Sequence, residues 1–318
     1  MKKLSPEEYT DKYGDPAGPD CPPCELREAE AADYRLPRRT PRSHKYSYGR
    51  ALLIAGSRGY SGAPVLAANA CERSGAGLTW LMVPESIYSI AAARCDGAVV
   101  TPLPATAEGG LSEKAWPVIL TALRKADACV IGPGLGTGTE AKELVKAVLQ
   151  ETECPLVLDA DALNACAIEP ERLTACRAPL LLTPHEGEFR RLGGDLSEGR
   201  LAGALRFCES YPTLHLILKG YGTLLCHGEK VCVNPTGGPA MAKGGSGDVL
   251  CGILCALLAQ GFAPDFAAGC AVWLHGLASD LAAAELGEYS LTPSDLIRYL
   301  PRAFRTLEAE NFDVAVEP

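Results

Sequence analysis

A glycine-rich turn that ends in a carboxylate, residues 244–248 (GGSGD), has the residue types for phosphoryl chemistry. Its glycines allow the backbone to turn tightly, and the apolar run that follows predicts a helix from about Gly247. The unpaired N–H groups of a first helical turn bind anions such as phosphate. Asp248 would then take a proton from a substrate hydroxyl. Alternatively it only caps the helix, which stabilises an acidic residue by about 0.3–1 kcal/mol.

Short apolar runs typical of buried strands alternate with helical patterns from His44 onward, which predicts an α/β fold. We expect a mostly parallel central sheet with helices on both faces. A hairpin (TLLCHG–KVCVN) would add a small antiparallel edge. Residues 1–43 have no clear apolar period, so we expect a mobile N-terminal extension followed by one domain over residues 44–318.

Several glycine-rich or polar motifs directly follow predicted strands. The carboxyl ends of parallel strands share one edge of a sheet, where ligands bind in open α/β folds. One continuous cleft is therefore expected, formed by residues 56–63, 132–138, 159–164, 183–188, 219–223 and 244–248.

Composition narrows the classes of partner. The net charge is −9, which argues against a nucleic-acid partner. The longest apolar run, Val249–Ala259, is shorter than the roughly 20 residues that span a membrane. The first residues lack the apolar core of a signal peptide, so we expect a cytoplasmic protein.

Two common nucleotide-binding motifs and a disulfide framework are not indicated. The glycines at 132, 134, 136 and 138 do not have the G-x-G-x-x-G spacing of a dinucleotide fold, and no P-loop motif occurs. Most of the 14 cysteines lie singly in apolar segments, where thiols act as small hydrophobic groups. Cys21 and Cys24 lack further zinc ligands nearby.

The motifs together give the sequence a specific resemblance. GSRGYSGAPVLAA (56–68), IGPGLG (131–136), LDADALN (158–164), LTPHEGEF (182–189), LKGYGT (218–223) and NPTGGPAMAKGGSGDVL (234–250) occur in this order. With RSGAGL (73–78) and VPESI (83–87), they resemble the NAD(P)H-hydrate dehydratases, a branch of the ribokinase-like superfamily. The resemblance covers roughly residues 44–300.

The resemblance implies roles for particular residues. Asp248 would be the catalytic base, in an anion hole formed by Gly245, Ser246 and Gly247. The hydrated dinucleotide would contact Ala63, Gly136, His185 and Asp248. The adenine nucleotide would contact Lys219, Gly220, Tyr221, Gly222, Thr223 and Gly247. Taken alone, Lys219 could equally be a surface lysine, and His185 could be structural. Glu186 is a candidate Mg²⁺ contact, as are Asp159 and Asp161, although Asp161 and Asn164 could equally cap the segment after their strand.

The implied reaction restores (6S)-NADHX and (6S)-NADPHX to NADH and NADPH. Mg²⁺ would assist, and ADP would be the phosphoryl donor, giving AMP and phosphate, with ATP left open. The alternatives are a ribokinase-like kinase of a vitamin precursor (hydroxymethylpyrimidine or thiazole alcohol) and a non-catalytic adenine-nucleotide sensor. A homo-oligomer such as a tetramer, working with a separate NAD(P)H-hydrate epimerase, is expected. Tyr46 and Lys243 depart from the family pattern, and Lys243 would place a positive charge beside the anion hole.

Overall fold

The strands of this protein form one mixed sheet. A computed structural model describes residues 1–18 and 21–312. The strands within these residues are β1 (Lys2–Lys3), β2 (Glu25–Glu28), β3 (Arg50–Ile54), β4 (Leu78–Pro84), β5 (Val99–Leu103), β6 (Ala128–Ile131), β7 (Leu156–Leu158), β8 (Leu180–Leu182), β9 (Leu214–Leu218), β10 (Thr223–His227) and β11 (Lys230–Asn234).

The sheet order confirms the predicted α/β class. The strands lie in the order β1-β2-β11-β10-β9-β8-β7-β6-β3-β4-β5. The seven strands from β9 to β5 in this order pair in parallel, and the β10–β11 hairpin is antiparallel. Central strands are fully buried, as in Leu52–Ile54, because helices cover both faces.

The helices divide between the two faces of the sheet. Buried side chains of α2, α3, α9, α10 and α11 form a cluster on one face. Those of α4 to α8 contribute to a cluster on the other. The bounds are α1 (Pro6–Tyr13), α2 (Gly62–Arg73), α3 (Tyr88–Arg94), α4 (Trp116–Leu123), α5 (Thr139–Glu151), α6 (Asp161–Cys166), α7 (Glu186–Arg191), α8 (Arg200–Ser210), α9 (Ser246–Ala259), α10 (Pro264–Leu286) and α11 (Pro293–Phe312).

Small residues allow α9 to pack closely on α2. A Cβ atom added at Gly252 would lie 2.1 Å from the carbonyl oxygen of Ala67 and 2.8 Å from the Cβ atom of Ala70. Such a close approach is possible only without a side chain at that position. The packing holds the amino end of α9, which carries the glycine turn, against the start of α2.

The described residues of the N-terminal segment, for which a mobile extension was expected, pack on the domain. Strand β2 pairs in parallel with β11, and β1 pairs with β2. The predicted hairpin therefore is not the outermost part of the sheet. Tyr9 and Tyr34 are 0% and 1% exposed. No apolar period appears in this segment because its two strands contain only two and four residues.

One helix has the length and apolar character of a membrane span. Helix α10 meets both criteria by composition, but 67% of its most apolar window is buried inside the domain. A core helix of this kind satisfies the same criteria. Its burial is explained by its packing against the sheet and α9.

Candidate active site

The glycine turn lies at the start of a buried helix, as the sequence predicted. Helix α9 begins at Ser246, one residue before the expected start, and Gly245 is its N-cap with a φ of 98°. This left-handed conformation favours glycine. A Cβ atom there would also lie 2.8 Å from Leu66 Cδ1. The turn is thus shaped by backbone geometry and by the adjoining start of α2.

The N–H groups of the turn are not equally available to an anion. The amide of Ser246 donates to the Lys243 carbonyl at 3.3 Å, and the Ser246 hydroxyl donates to the Met241 carbonyl at 2.9 Å. Gly247 and Asp248 follow in the first helical turn, where a helix leaves its N–H groups without partners. An anion would therefore be held chiefly by the amides of Gly247 and Asp248.

The Asp248 carboxyl group is set up to exchange a proton near neutral pH. Its pKa is raised to about 7, chiefly because it is buried. The negative charges of Asp159 and Asp161 raise it further, whereas Lys219 lowers it. A general base is most effective when its pKa lies near the working pH. These properties distinguish Asp248 from an exposed helix cap.

A buried ion pair lies under the turn. Asp159, after β7, is 2% exposed and accepts hydrogen bonds from Lys219 Nζ at 2.8 Å and Thr183 Oγ1 at 2.7 Å. Burial alone would raise the pKa of Asp159, but Lys219 and the hydrogen bonds lower it below its usual value. Burial likewise opposes the charge on Lys219, and Asp159 and Glu188 outweigh it, which raises the lysine pKa.

This pair lies directly beside the anion turn. A Cβ atom at Gly247 would be 3.4 Å from Lys219 Nζ and 3.8 Å from Asp159 Oδ2. The sequence analysis assigned Lys219 to the nucleotide and Asp159 to Mg²⁺, and it did not predict that the two residues pair. Their pairing fixes the ammonium group beside the turn and engages Oδ1 of Asp159, whereas Oδ2 faces Gly247, so Asp159 stays a candidate magnesium contact.

His185 is held at the cleft by a capping box. Its Nδ1 accepts hydrogen bonds from the N–H groups of Gly187 and Glu188 at 3.0 and 3.3 Å, and its own N–H donates to Glu188 Oε2 at 2.8 Å. The structural role that the sequence left open is therefore present. Its Nε2 lies 3.5 Å from Glu188 Oε1, and the side chain is 55% exposed, so the ring is also accessible to a ligand. The amide of Lys219 donates to the Pro184 carbonyl at 2.8 Å, which places His185 next to Lys219.

The second wall of the cleft joins two glycine-containing loops. Ser57 Oγ donates to the Gly134 carbonyl at 2.9 Å, and a Cβ atom at Gly134 would lie 3.2 Å from that of Ala63. The Gly136 amide donates to Asp161 Oδ2 at 2.8 Å. Ala63 and Gly136, the residues assigned to the hydrated dinucleotide, therefore border the same surface, and Asp161 connects it to Asp248 electrostatically.

Glu186 is committed to two guanidinium groups. Its carboxylate lies 3.3 Å from Arg190 and 3.5 Å from Arg200. These positive charges compete directly with a cation, so the structure does not favour Glu186 as a metal ligand. Mg²⁺ binding at Glu186 stays a prediction.

Arg200 organises the predicted nucleotide loop, and the sequence analysis missed it. This residue is 9% exposed and donates to the carbonyls of Tyr221, Gly222 and Leu218 at 2.6, 3.4 and 3.1 Å. It lies at the start of α8, far from the loop in sequence. The motifs at strand ends do not include Arg200, so they could not predict its contact with the loop. The only local signal in the sequence is an arginine that follows a glycine at the start of a helix.

The N-terminal segment also supports the nucleotide loop. The rings of Tyr13 and Tyr221 have centroids 5.7 Å apart, and a Cβ atom at Gly222 would lie 2.5 Å from Tyr13 Cδ1. Asp15 Oδ1 accepts a hydrogen bond from the Arg200 amide at 3.0 Å. Within the loop, Thr223 Oγ1 donates to the Gly220 carbonyl at 3.0 Å. Tyr221 is 68% exposed and available to a ligand.

The ammonium group of Lys243 is held by backbone carbonyl groups. It donates to the carbonyls of Tyr289, at 2.6 Å, and Leu291. A contribution of its charge to the anion hole stays a prediction. The lysine ties the segment before the turn to the loop between α10 and α11.

Comparison with solved structures defines the class of fold. A ribokinase-like superfamily protein from Enterococcus faecalis V583 gives a TM-score of 0.78 at 29% identity, covering 89% of this chain and 96% of that protein. The ADP/ATP-dependent NAD(P)H-hydrate dehydratase of Bacillus subtilis, co-crystallised with ATP and Mg²⁺, gives 0.74 at 29% identity, covering 88% and 98%. The fold is therefore ribokinase-like. A hydroxyethylthiazole kinase from Pyrococcus horikoshii, at 16% identity and a TM-score of 0.56, shares the fold alone.

The sequence comparisons define a narrower family within this fold class. The model of the NAD(P)H-hydrate dehydratase family matches residues 51–302, and the chain belongs to that family. It is 41% identical over 281 residues to a bifunctional NAD(P)H-hydrate repair enzyme from Moorella thermoacetica, covering 87% of this chain and 53% of the relative. A second such enzyme, from Gloeobacter violaceus, is 43% identical over 257 residues, covering 80% and 49%. The chain thus spans about half the length of the curated relatives that it matches.

Proposed function

We propose that this protein is a nucleotide-dependent NAD(P)H-hydrate dehydratase that converts (6S)-NADHX and (6S)-NADPHX to NADH and NADPH. ADP is the proposed phosphoryl donor, and AMP and phosphate are the proposed products. The observation that carries this proposal is the Asp248 carboxyl, with a pKa raised to about 7, inside a helix-start turn above the Lys219–Asp159 pair. Family membership supports the choice of substrate.

The proposed first step is a transfer from the nucleotide to the hydrated ring. Asp248 takes the proton of the C6 hydroxyl as its oxygen attacks the terminal phosphorus of ADP, and the bond from that phosphorus to the AMP oxygen breaks. The amides of Gly247 and Asp248 face the phosphoryl oxygens, where preorganised N–H dipoles stabilise developing charge. The Lys219 ammonium below adds a positive field.

The proposed second step restores the ring. The C6–O bond breaks, phosphate leaves with the bonding electrons, and C5 loses a proton to water as the C5–C6 double bond forms. Asp248 then releases to water the proton that it took in the first step. Phosphorylation makes the oxygen a good leaving group, which a hydroxyl is not. Both steps require only that C6 of the ring lies beside the glycine turn. The wall that contains Ala63 and Gly136 is the surface proposed to hold the dinucleotide there.

Magnesium is proposed to enter with the nucleotide. The B. subtilis dehydratase was co-crystallised with ATP and Mg²⁺. In this chain, Lys219 and Thr183 occupy Oδ1 of Asp159, two arginines pair with Glu186, and the Gly136 amide donates to Asp161. These contacts compete with an ion held directly by the protein. Mg²⁺ commonly keeps its waters and binds mainly to substrate phosphates, which suits a nucleotide complex.

The loop of residues 219–223 is the proposed contact for the adenine nucleotide. Arg200 donates a hydrogen bond to this loop, Tyr13 packs against it, and the side chain of Tyr221 is exposed. A fixed loop binds its ligand without a further ordering cost. Lys219 differs from the other members because its ammonium is already paired with Asp159, so we assign it to the floor of the phosphate site.

Absorbance at 340 nm tests the proposal. Purified protein is incubated with NADHX, Mg²⁺ and either ADP or ATP, with phosphate and adenine nucleotides measured in parallel. A nucleotide-dependent rise in absorbance with equal phosphate release supports the dehydratase and identifies the donor. A stable phosphorylated product from a vitamin-precursor alcohol would instead indicate a kinase. Saturable nucleotide binding without phosphate release would indicate a sensor.

We also propose cooperation with a separate NAD(P)H-hydrate epimerase in the cytoplasm. Hydration makes C6 stereogenic, and one enclosed site accepts one configuration, so the other epimer must be converted before repair. In a mixture of epimers, turnover by this protein alone would stop when one epimer is consumed. The proposed homo-oligomer, such as a tetramer, is tested by light scattering of the purified chain.

A further inference from the structure

Two histidines and an aspartate meet at the amino end of β9, at the end of the sheet opposite the glycine turn. His215 lies near the amino end of β9, four residues before Lys219, which is roughly 13 Å along a strand. His227 ends β10. The register pairs Cys226 with Leu216, so the next residue outward on each strand brings His227 opposite His215. Asp265, in the first turn of α10, covers this pair.

The side chains converge on one point. His215 Nδ1 lies 2.7 Å from Asp265 Oδ1, and His227 Nδ1 lies 3.1 Å from the same oxygen. The imidazole centroids are 4.0 Å apart. One ligand atom from each residue lies within 4.8 Å of the others, the only such group of His, Cys, Asp or Glu among the described residues.

A cavity of about 350 Å³ opens beside the three side chains. Tyr34 lines it and is 1% exposed, and its hydroxyl has no nitrogen or oxygen partner among the described residues, with the Cys232 thiol beside it. A buried hydroxyl without a partner is costly, and a bound water or ligand would satisfy it. The remaining wall is apolar at Leu225 and Ala268 and also includes the charged residues Glu25, Arg27 and Lys230. The cavity therefore combines three ligating groups with room for a further small ligand.

We propose that His215, His227 and Asp265 bind a divalent transition-metal ion of the Zn²⁺ class. The two Nδ1 atoms and the Asp265 carboxylate are the ligands, and water from the cavity completes a tetrahedron. Imidazole nitrogen and carboxylate oxygen are ordinary zinc ligands, and three protein ligands plus an open position form a common arrangement. Each neutral imidazole binds through a deprotonated Nδ1, so its proton is carried on Nε2 in the bound state.

The position of the cluster gives the ion a defined structural effect. His215 and His227 come from paired antiparallel strands, and Asp265 comes from the helix that packs on them. A bound ion would join β9, β10 and α10 at three points. A ligand that binds only the folded state raises its stability according to its concentration relative to its dissociation constant. The ion should therefore raise the melting temperature.

The experiment measures metal binding by the full chain, independently of any catalytic activity. Protein freed of metal by a chelator is titrated with Zn²⁺ in competition with a chromophoric chelator, and with Co²⁺ by visible absorption. His227→Gln and Asp265→Asn are the test variants. His227 has a 37% exposed side chain, so His227→Gln is expected to fold even if the Asp265 variant does not.

Two controls separate this site from other ligands. His44→Gln removes an exposed histidine elsewhere in the fold, and a Cys21→Ser/Cys24→Ser double variant removes the paired thiols. We expect one tight Zn²⁺ equivalent in the wild type and both controls, weakened at least tenfold in His227→Gln and Asp265→Asn. Absence of a tight equivalent in the wild type, its retention in both test variants, or its loss in the cysteine variant would overturn the proposal.

Discussion

Replacing Lys219 by methionine should sharply destabilise the protein, because it breaks a buried ion pair on one side. The Nζ–Oδ1 distance to Asp159 is 2.8 Å, and the side chains are 22% and 3% exposed. Removal of one partner from such a pair typically costs about 3–5 kcal/mol, since the other charge stays buried without compensation. We therefore expect the free energy of unfolding at pH 7 to fall by about 3–5 kcal/mol in Lys219→Met.

The pH dependence gives this prediction a direction. In the wild type the pKa of Asp159 is lowered on folding, so its contribution to stability is present above the unfolded pKa and is lost as pH falls through the folded value. Without the ammonium, burial dominates and raises the pKa of Asp159 above its unfolded value of about 3.9. The deficit of the variant should then shrink as pH decreases and Asp159 becomes protonated.

Urea denaturation at several pH values measures both effects. The control is Lys146→Met, which removes a surface lysine 3.8 Å from Glu143 and should change stability by less than about 0.5 kcal/mol. Asp159→Asn combined with Lys219→Met removes both charges and should recover part of the loss. A Lys219→Met deficit below about 1 kcal/mol at pH 7 would refute the assignment of Lys219 to a buried, stability-determining pair.

Three further predictions concern the site and the helix that presents it. The wild-type kcat/KM should rise with pH to a plateau with a midpoint near the Asp248 pKa of about 7, because the base acts deprotonated; a profile flat from pH 5 to 9 would contradict this. Tyr13→Ala should raise the KM for the nucleotide roughly 2- to 10-fold, because about 0.5–1.5 kcal/mol of aromatic contact with Tyr221 is lost. The control Tyr46→Ala should leave this KM unchanged. Equal KM values in the two variants would exclude support of the loop by α1. Gly252→Ala should destabilise the fold by about 1–3 kcal/mol, because its Cβ would meet a carbonyl of α2 at 2.1 Å. The control Gly138→Ala places its Cβ in open space and should destabilise the fold less. Equal urea midpoints in the two variants would disprove this close contact.

Local patterns were sufficient to predict the sheet and the turn. Apolar runs such as Ala51–Ile54 and Leu214–Leu218 indicated buried strands, and the residues after them indicated one ligand-binding edge. The helix that begins at Ser246 was predicted to within one residue. These features depend on short-range order, which a single sequence contains.

Long-range pairing was not predictable in the same way. Arg200 supports a loop that lies about 20 residues further along the chain, and Lys219 neutralises Asp159 across two strands. Both contacts depend on which elements adjoin in space. The N-terminal strands were missed because β1 and β2 contain two and four residues, too few for a period to appear. They join the sheet through the pairing of β2 with β11, and only Leu26 among their residues is buried.

The most direct test of the central claim compares the wild type with Asp248→Asn. The NADHX-dependent rise at 340 nm and equilibrium nucleotide binding are measured on the same preparations at saturating Mg²⁺. Removal of a general base commonly costs 10²–10⁴-fold in rate, so we expect turnover to fall by about this factor while nucleotide affinity stays within about threefold. Near wild-type turnover in Asp248→Asn would show that Asp248 is a helix cap, and the proposed mechanism would be wrong.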